Sequence, residues 1–320
     1  MAHRVVVTTR IPDPAADLLR SAGELWMPED ARKLGEDELR AAVRGADGVV
    51  AMLHDRIDGR FADAAGPRLR VVANTAVGYD NVDVPAMTER GVRVTNTPGV
   101  LTDATADLTL GLLLMITRRL GEGERLIRAR QPWSFHISFM LGSGLRDKTL
   151  GIIGFGQIGQ AVARRARAFG MRIVYSARNR VDPGVEAELD ASHLSREQLL
   201  AEADVVSLHC PLTTETRHLI DAKALEAMKQ SAFLLNSSRG PVVDEAALAV
   251  ALRDGRIAGA ALDVFEREPE VDAGLLDLEN VVLVPHLGSA TTETRTEMAL
   301  LAARNVVAVL SGQPALTPVR

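Results

Sequence analysis

The chain has 320 residues, of which 47% are hydrophobic and 25% are charged, and its formal net charge at pH 7 is −5. This composition is that of an ordinary globular protein long enough for two domains, and the negative charge argues against a nucleic-acid-binding surface. The single cysteine, Cys210, excludes a disulfide within the chain and predicts a cytoplasmic protein. The most apolar stretch, 108–116, is too short to span a bilayer, and MAHRVVVTTR lacks the apolar region of a signal peptide, so we expect no membrane contact.

The first third of the chain alternates short β-rich runs with helical segments. We predict strands near Val5–Thr9, Gly48–Leu53, Val71–Asn74 and Val92–Asn96, and helices such as Ala15–Ala22 and Asp37–Arg44 between them. This alternation is typical of an α/β protein with a parallel sheet. The sequence Asn-Thr-Pro-Gly at 96–99 marks the end of this block, because such residues interrupt regular structure.

A long apolar segment rich in leucine, Ala104–Arg119, follows this block. We interpret it as a helix that contacts another domain or another subunit, and we therefore predict a homodimer. The alternative is that the helix is simply buried inside the monomer.

The middle of the chain contains six further β-rich runs. They are Leu150–Gly154, Arg172–Tyr175, Val205–Leu208, Phe233–Asn236, Ala260–Asp263 and Val281–Val284. Six strands with crossovers are enough for a complete dinucleotide-binding sheet. A last helical pattern, Thr291–Leu310, lies beyond them and could return to the first domain.

The first of these six runs leads into a glycine motif, TLGIIGFGQIG at 149–159. Gly154, Gly156 and Gly159 fit G-x-G-x-x-G between a predicted strand and a predicted helix. Gly154 permits the tight turn, Gly156 lets a pyrophosphate approach the backbone, and Gly159 lets helix and strand pack closely. Gln157 and Ile158 complete a helix start whose free N–H groups can bind phosphate. The alternative is a glycine-rich turn that binds nothing.

A dinucleotide site of this kind usually has an acidic residue about 20 residues after the glycines, where it binds the ribose 2′-hydroxyl. Here Ser176 and Ala177 stand at that position, and Arg178, Asn179 and Arg180 follow. The missing acid removes repulsion against a 2′-phosphate, which two guanidinium groups and a hydroxyl can bind. We therefore predict NADP(H) as the preferred cofactor and NAD(H) as the second choice. The alternative is that both arginines are only solvated loop residues.

About 150 residues precede the glycine motif, so a different domain comes first. We predict an α/β protein with two doubly wound domains, in which a Rossmann cofactor domain is inserted in a flavodoxin-like substrate domain. The cofactor domain would span 99–288, and the substrate domain would be made of 1–98 and 289–320, with a cleft between the two.

Three polar segments follow predicted strands of the cofactor domain. The first ends in Arg239, the second reaches from Asp263 to Glu268, and the third contains His286. Because ligands bind at the carboxyl ends of strands in open α/β sheets, the three segments could converge on one site. Together an arginine, a glutamate and a histidine can bind a carboxylate, hold an imidazole and deliver a proton. Taken singly, the arginine and either Glu266 or Glu268 could be surface charges, and the histidine could be structural.

With these segments in place, the sequence resembles the D-isomer-specific 2-hydroxyacid dehydrogenase family, and within it the glyoxylate/hydroxypyruvate reductases. The resemblance runs nearly end to end through NTAVGYDNVD (74–83), GVRVTNTPGVLTDATADLTLGLLL (91–114), LGIIGFGQIGQAVARRARAFG (150–170), SLHCPLTTETRHLI (207–220), LLNSSRGPVVDEAAL (234–248), GAALDVFEREP (259–269) and VPHLGSAT (284–291). It implies that the catalytic residues are Arg239, Glu268 and His286. It also implies NADPH-dependent reduction of a small 2-keto acid, glyoxylate or hydroxypyruvate, to the D-2-hydroxy acid.

The resemblance implies two further groups of contacts. Backbone N–H groups around Val77 and Gly78, with Leu53 nearby, would bind the substrate together with Arg239 and His286. The cofactor would contact Thr105, Gly154, Gly156, Gln157, Ile158, Gly159, Ser176, Arg178, Asn179, Arg180, Cys210, Pro211, Thr216, Ser237, Ser238, Asp263 and Gly288. The alternative for Val77 and Gly78 is that they form only a turn. For Cys210, in the cofactor group, we favour a role as a small buried apolar residue over a chemical role. No metal site is expected.

In this reaction Arg239 would bind the substrate carboxylate and polarise the carbonyl, while His286 donates a proton to the carbonyl oxygen. Glu268 would hold the other ring nitrogen and favour the protonated imidazole, and closure of the two domains would exclude water. One segment departs from the expected pattern. Trp133 is present, but His136 stands where a second tryptophan that reaches the partner subunit's site is expected, which leaves the substrate preference open.

Other functions stay open from the sequence. An NAD-dependent dehydrogenase of phosphoglycerate or lactate would share the fold, although from 320 residues we do not expect the C-terminal regulatory domain of many phosphoglycerate enzymes. Corepressors related to this family use the same fold to sense a dinucleotide and assemble partners, and a dimeric scaffold could keep the fold with a vestigial site. The intact Arg239, Glu268 and His286 argue against both non-catalytic alternatives.

Overall fold

A computed structural model describes residues 2–319 of the chain. These residues form two compact units, of which one is Thr102–Ser289 and the other is made of the described residues before and after it. Each unit contains a parallel sheet with helices, so the predicted α/β fold class is confirmed. No helix in the described part of the chain is long and apolar enough to cross a membrane.

Strands and helices alternate along the described residues. The strands are β1 His3–Val7, β2 Gly23–Trp26, β3 Gly48–Ala51, β4 Val71–Asn74, β5 Arg93–Thr95, β6 Thr149–Ile153, β7 Arg172–Ser176, β8 Ala191–His193, β9 Val205–Leu208, β10 Phe233–Asn236, β11 Gly259–Leu262 and β12 Val281–Leu283. The α-helices are α1 Asp13–Ala22, α2 Glu36–Ala42, α3 Gly59–Ala65, α4 Val84–Glu89, α5 Thr102–Thr117, α6 Leu120–Arg128, α7 Gln157–Ala168, α8 Pro183–Leu189, α9 Arg196–Glu202, α10 Ala222–Ala227, α11 Glu245–Arg253, α12 Ala273–Leu276 and α13 Thr292–Leu310. A short 3₁₀ helix covers Gly240–Val242.

The sheet of the first unit has the strand order β2-β1-β3-β4-β5, which is the flavodoxin-like order. Its predicted strands form because their valine-rich runs are buried on both faces, as parallel strands covered by helices require. The prediction missed β2, whose residues are exposed or only half-buried at the edge of the sheet. The last helix, α13, packs on this sheet, and the guanidinium of Arg70 donates hydrogen bonds to the carbonyls of Leu310 and Val309, at 3.1 and 2.8 Å.

The sheet of the second unit has seven parallel strands in the order β12-β11-β10-β9-β6-β7-β8. This is the doubly wound dinucleotide-binding order with one strand added after the sixth. The six predicted strands lie within one residue of the observed ones at either end. The prediction missed β8, because it is a three-residue edge strand with two exposed residues and no apolar pattern.

The interpretation of Ala104–Arg119 as a subunit-contact helix is not supported by its burial. Ala106, Leu112 and Leu113 of α5 are at most 1% exposed, and the helix packs against α7 and the strands β10 to β12 of its own unit. Its apolar residues therefore form part of the core, which is the alternative that the sequence left open. A group of exposed apolar side chains follows it along the chain, at Leu120, Ile127, Trp133, Phe135, Ile137 and Leu141.

Candidate active site

The predicted catalytic residues lie on three loops at one edge of the seven-stranded sheet. Because β10, β11 and β12 are neighbouring parallel strands, their carboxyl ends point the same way and their following loops are adjacent. Arg239 follows β10, Glu268 follows β11 and His286 follows β12. Parallel pairing therefore gathers residues that are 47 positions apart in the sequence, from 239 to 286.

His286 and Glu268 form a direct hydrogen bond, with 2.8 Å between Nδ1 and Oε2. The other carboxylate oxygen of Glu268 accepts the N–H of Phe265 at 3.1 Å. Burial raises the pKa of Glu268, but the hydrogen bond and charge of His286, with smaller effects of Phe265 and Arg239, bring the pKa below its ordinary value. Glu268 is thus an ionised partner for Nδ1, which leaves Nε2 of the imidazole for a substrate.

The structure gives different partners to the two glutamates, which the strand-end pattern alone left open and between which the family resemblance chose Glu268. Glu266 lies two residues from Glu268, but its carboxylate contacts Nε2 of His218 on the loop after β9. Its N–H donates to the carboxylate of Glu245, a buried residue at the start of α11. Glu266 therefore belongs to the contacts that hold this loop in place, whereas Glu268 contacts His286.

Asp263 orders the backbone around His286. It is 1% exposed, and its carboxylate accepts the N–H groups of Leu287 and Gly288, while its carbonyl accepts the N–H of His286 at 2.8 Å. Burial raises the pKa of Asp263 despite these N–H groups and the charge of His286. His286 itself has a left-handed φ of 53°, so its backbone depends on these bonds.

Two residues that the sequence interpretation did not single out shape the loop of Arg239. The buried amide of Asn236 donates to the Arg239 carbonyl at 2.9 Å and accepts the N–H and hydroxyl of Ser238 at 3.0 and 2.9 Å. A Cβ atom at Gly240 would overlap the carbonyl group of Phe265, so the two loops touch through backbone alone. A polar residue ending an apolar strand was the available signal for Asn236.

Glu245 is a third residue without a prediction, and it fixes the loop that carries Glu268. Its side chain is 4% exposed, and its two carboxylate oxygens accept the N–H groups of Glu266 and Asp272. Burial raises the pKa of Glu245 against the effect of both N–H groups. No spacing in the sequence pointed to it, because its partners are 21 and 27 residues away.

A chain of hydroxyl groups joins the predicted cofactor residues Ser237 and Thr105. The hydroxyl of Thr109 donates to the carbonyl of Thr105 at 2.8 Å, so in its 2.8 Å contact with Ser237 it is the acceptor. Gly288 lies against the same place, since a Cβ there would be 3.5 Å from the Thr105 side chain. Ser237, Thr105 and Gly288 thus lie together in this unit.

The glycine loop after β6 makes a tight, left-handed turn and leaves open space at one of its three glycines. Gly154 has a φ of +92°, and a Cβ there would lie 2.5 Å from the backbone nitrogen of Cys210. A Cβ at Gly159 would overlap the Gly154 carbonyl, whereas the space at Gly156 is open. The helix α7 starts without a side-chain cap or an acidic residue in its first turn. Its first N–H groups, Gln157 and Ile158 included, are therefore available to phosphate, and the residues fit the predicted dinucleotide.

The loop after β9 contains three predicted cofactor residues with different surroundings. Cys210 is 8% exposed, and burial raises the pKa of its thiol to about 11, so it packs as a small apolar residue. The Thr216 hydroxyl donates to the Pro211 carbonyl at 2.6 Å and closes the loop on itself. The backbone of Cys210 and His209 abuts Gly154, which brings this loop beside the glycine loop.

The residues predicted to bind a 2′-phosphate follow β7. Ser176 ends the strand, and Arg178 and Asn179 are exposed. Arg180 is not available in the same way, because its Nε and Nη2 contact the carboxylate of Glu186 at 2.8 and 2.7 Å. The segment thus lies at the surface near the glycine loop, but one of its two arginines, Arg180, is already paired with a carboxylate.

The predicted substrate residues Leu53, Val77 and Gly78 belong to the other unit, where two asparagines organise their loop. Asn96 donates to the Val77 carbonyl at 2.8 Å, and Asn74 donates to the Gly78 carbonyl at 3.0 Å. Neither Val77 nor Gly78 donates its own N–H to another described residue. Both N–H groups are therefore available for an anion.

A third asparagine links this loop to the one that carries Leu53. The Asn81 amide lies 3.2 Å from the Met52 carbonyl and 3.1 Å from the Asn74 side-chain oxygen. Leu53, the neighbour of Met52, is half-buried. The sequence interpretation singled out none of these asparagines, although polar residues within an apolar strand and its following turn were a usable signal.

Sequence comparisons relate the chain to known proteins over almost all of its length. A family profile described as "D-isomer specific 2-hydroxyacid dehydrogenase, NAD binding domain" matches residues 110–288. A glyoxylate reductase of Thermococcus litoralis is 46% identical over 317 residues, covering 98% of this chain and 95% of that protein. A glyoxylate reductase of Thermococcus gammatolerans is 50% identical over 317 residues, covering 98% of this chain and 94% of that protein.

Solved structures give the same relationship. The TT0316 protein of Thermus thermophilus superposes with a TM-score of 0.93 at 48% identity, covering 99% of this chain and 100% of that one. An NADPH-dependent glyoxylate/hydroxypyruvate reductase of Sinorhizobium meliloti, in complex with NADP and malonate, has a TM-score of 0.88 at 37% identity, covering 100% of this chain and 97% of that one.

Proposed function

The chain belongs to the D-isomer-specific 2-hydroxyacid dehydrogenase family, and from that premise we propose that it reduces glyoxylate or hydroxypyruvate with NADPH. The product is the corresponding 2-hydroxy acid, of D configuration where a stereocentre forms. The observation that carries the proposal is the 2.8 Å hydrogen bond between His286 and Glu268, on loops at the same edge of the seven-stranded sheet as a glycine loop suited to a dinucleotide. The glyoxylate reductases among the relatives support the substrate.

His286 is the proton donor in this proposal. Reduction of a ketone or aldehyde creates negative charge on the carbonyl oxygen, and an imidazolium at that oxygen neutralises it by proton transfer. Glu268 accepts a hydrogen bond from the N–H at Nδ1, so in the protonated ring the N–H at Nε2 is left to donate to the substrate. The lowered pKa of Glu268 keeps its carboxylate ionised near neutral pH, where it stabilises the positive charge of the imidazolium.

Arg239 binds the substrate in this proposal. Its guanidinium can form two parallel charge-assisted hydrogen bonds to a carboxylate and carbonyl, which a lysine ammonium cannot reproduce. Asn236 and Gly240 position it by fixing the backbone on either side. We also propose that the available N–H groups of Val77 and Gly78 bind the substrate carboxylate, with Leu53 as an apolar neighbour.

The cofactor is a nicotinamide dinucleotide, and we propose a preference for NADPH over NADH. When bound, its reduced nicotinamide supplies the hydride for the carbonyl carbon. Gly156, Gln157 and Ile158 would hold the pyrophosphate at the start of α7. Arg178 supports the preference for NADPH, because it is an exposed cation two residues after β7, next to Ser176 and Ala177, which stand where NAD-specific sites have an acid.

The test is the absorbance at 340 nm of NADPH or NADH with glyoxylate, hydroxypyruvate, pyruvate and 3-phosphohydroxypyruvate as alternative substrates. We expect oxidation of NADPH with the first two acids and a higher kcat/KM for NADPH than for NADH. Faster reaction with pyruvate or phosphohydroxypyruvate would overturn the substrate, and a preference for NADH would overturn the cofactor. Stabilisation by NADPH with no turnover of any acid would instead indicate a dinucleotide sensor.

We propose that the chain forms a homodimer through the exposed apolar residues that follow α5. Phe135 and Ile137 are 84% and 91% exposed. Large apolar side chains exposed together in this way usually mark a surface that contacts another protein molecule. Substitution of both by aspartate should convert a dimer to a monomer in light scattering after gel filtration. The matched control is aspartate at Leu316, which is 55% exposed and should leave the dimer intact. A wild-type protein with the mass of one chain would contradict the proposal.

A further inference from the structure

The two arginines that follow β7 have unequal surroundings. The guanidinium of Arg180 forms a two-point ion pair with Glu186 of α8, through contacts of 2.8 and 2.7 Å. Arg178 forms no hydrogen bond or ion pair with another residue between positions 2 and 319. The positive charge of Arg178 acts on Glu215, which lies on the loop after β9. The pKa of Glu215 is lowered mainly by a hydrogen bond with Thr213 and to a smaller extent by the charge of Arg178.

Tyr175 fixes the carboxylate that holds Arg180. Its hydroxyl donates to Oε1 of Glu186 at 2.6 Å and accepts the N–H of Val181 at 3.1 Å. The Tyr175 ring is fully buried and stacks on Phe155, with 4.2 Å between ring centroids and planes 17° apart. Because Phe155 stands between Gly154 and Gly156, a continuous set of contacts joins the glycine loop to Arg180.

The charge of Glu186 is present at every physiological pH. Hydrogen bonds from Arg180 and Tyr175 lower the pKa of Glu186 to about 2. The carboxylate therefore offsets the positive charge of Arg180 at short distance, and it presents a like charge to any phosphate that approaches the loop. A 2′-phosphate gains less from Arg180 than from Arg178, since one cation is already paired and the other is not.

We propose that Glu186 limits the selectivity for a 2′-phosphorylated nucleotide, because it occupies Arg180 and leaves Arg178 as the arginine that binds the phosphate. This inference rests on the proposed preference for NADPH, because both concern the loop after β7. The ligand class is a nucleotide with a phosphomonoester on the ribose 2′-oxygen. Removal of the Glu186 charge frees Arg180 and strengthens binding of that phosphate, while a nucleotide without it is unaffected.

The experiment measures calorimetric affinities for 2′,5′-ADP and 5′-AMP, which differ only in the 2′-phosphate. We expect Glu186→Gln to bind 2′,5′-ADP about two- to tenfold more tightly than the wild type, with no change for 5′-AMP. The matched control is Glu188→Gln on the same helix, which removes the same charge from a pair with Arg164 and should change neither affinity. Unchanged or weaker binding of 2′,5′-ADP by Glu186→Gln would overturn the inference.

A second pair of variants tests it without changing the net charge of the Arg180–Glu186 pair. The double variant Arg180→Gln/Glu186→Gln should change 2′,5′-ADP binding less than twofold, because it removes a guanidinium and the carboxylate that already occupies it, whereas Arg178→Gln should weaken it about tenfold or more. Equal losses would overturn the inference. The wild-type ratio of the two affinities tests the preference for NADPH, and the ratio of variant to wild type tests Glu186. The two proposals can therefore fail separately.

Discussion

Gly240 lies so close to Phe265 that a Cβ atom at position 240 would overlap the Phe265 carbonyl group. This contact brings the backbone of the Arg239 loop against the backbone of the Glu268 loop, with no side chain between them. The relative position of the two predicted catalytic residues therefore depends on the absence of a side chain at 240. Asn236 and Glu245 support the same arrangement from the two sides, through bonds to Arg239 and Glu266.

Gly240→Ala should destabilise the protein by about 1–3 kcal/mol and lower kcat/KM by more than its loss of stability explains, because the two loops must move apart. Chemical denaturation and steady-state kinetics at a temperature well below unfolding separate these effects. The control is Gly111→Ala in α5, where the added Cβ meets no atom within 4 Å and should stabilise the protein by about 0.5–1 kcal/mol. Wild-type stability for Gly240→Ala would show that the loops are not in contact.

Glu268→Gln should lower the pH above which reduction fails, because the imidazolium of His286 loses a negatively charged partner. The measurement is kcat/KM for reduction between pH 5 and about 9.

His286→Ala should lower kcat by about 10²–10⁴-fold, which is the loss typical of a missing general acid, with little change in cofactor affinity. Near-wild-type turnover of His286→Ala would refute the proton donor.

The same glutamate predicts a pH dependence of stability. Its pKa in the folded protein lies below the ordinary value of 4.5, so its ionised form contributes stability above that pH, and this contribution is lost as the pH falls through the lowered pKa. The stability difference between wild type and Glu268→Gln should therefore shrink between about pH 5 and pH 3 in denaturation experiments. It is small throughout, because the side chain is 31% exposed. A difference that grows on acidification would contradict the assignment.

Arg239→Lys should lower kcat/KM for the keto acid by about 10- to 100-fold, since a point charge replaces a two-point hydrogen-bonding group. Affinity for 5′-AMP, measured by calorimetry, should stay within about twofold of the wild type. An unchanged kcat/KM would mean that the guanidinium does not bind the substrate.

Asn96→Ala should raise the KM for the keto acid with little change in kcat, because it releases the Val77 carbonyl and disorders an N–H group proposed to bind the substrate carboxylate. The matched control is Asn280→Ala, which removes a comparable 3.1 Å bond to the Leu252 carbonyl in the other unit. The control should cost similar stability and leave KM unchanged. Equal effects on KM would indicate a general loss of order.

Cys210 should resist alkylation by iodoacetamide at pH 8 in the folded protein. Burial raises the pKa of its thiol to about 11, so about one molecule in a thousand carries the reactive thiolate at that pH. The same protein in concentrated urea provides the control and should react completely, as counted by mass spectrometry. Rapid labelling without urea would show that the loop after β9 opens.

Much of the architecture could be predicted because it depends on residues close together in the sequence. Apolar runs such as Val71–Asn74 and Val205–Leu208 coincide with observed strands, since burial on both faces requires continuous apolar residues. The edge strands Gly23–Trp26 and Ala191–His193 were missed, because strands exposed at an edge need no such run. The burial of Ala104–Arg119 stayed ambiguous, since an apolar helix fits a core and an interface equally well.

The sequence by itself determined the two parallel sheets, the glycine loop and the polar residues at the strand ends, because spacing along the chain specifies all three. Spacing along the chain did not decide which of those polar residues meet; the family resemblance implied one pair, His286 with Glu268, and the tertiary structure gives the partner of each residue. It paired His286 with Glu268 and left Glu266 to His218, and it paired Arg180 with Glu186. Contacts of this kind join loops whose separation is set by strand pairing and helix packing, and no periodicity along the chain records that distance.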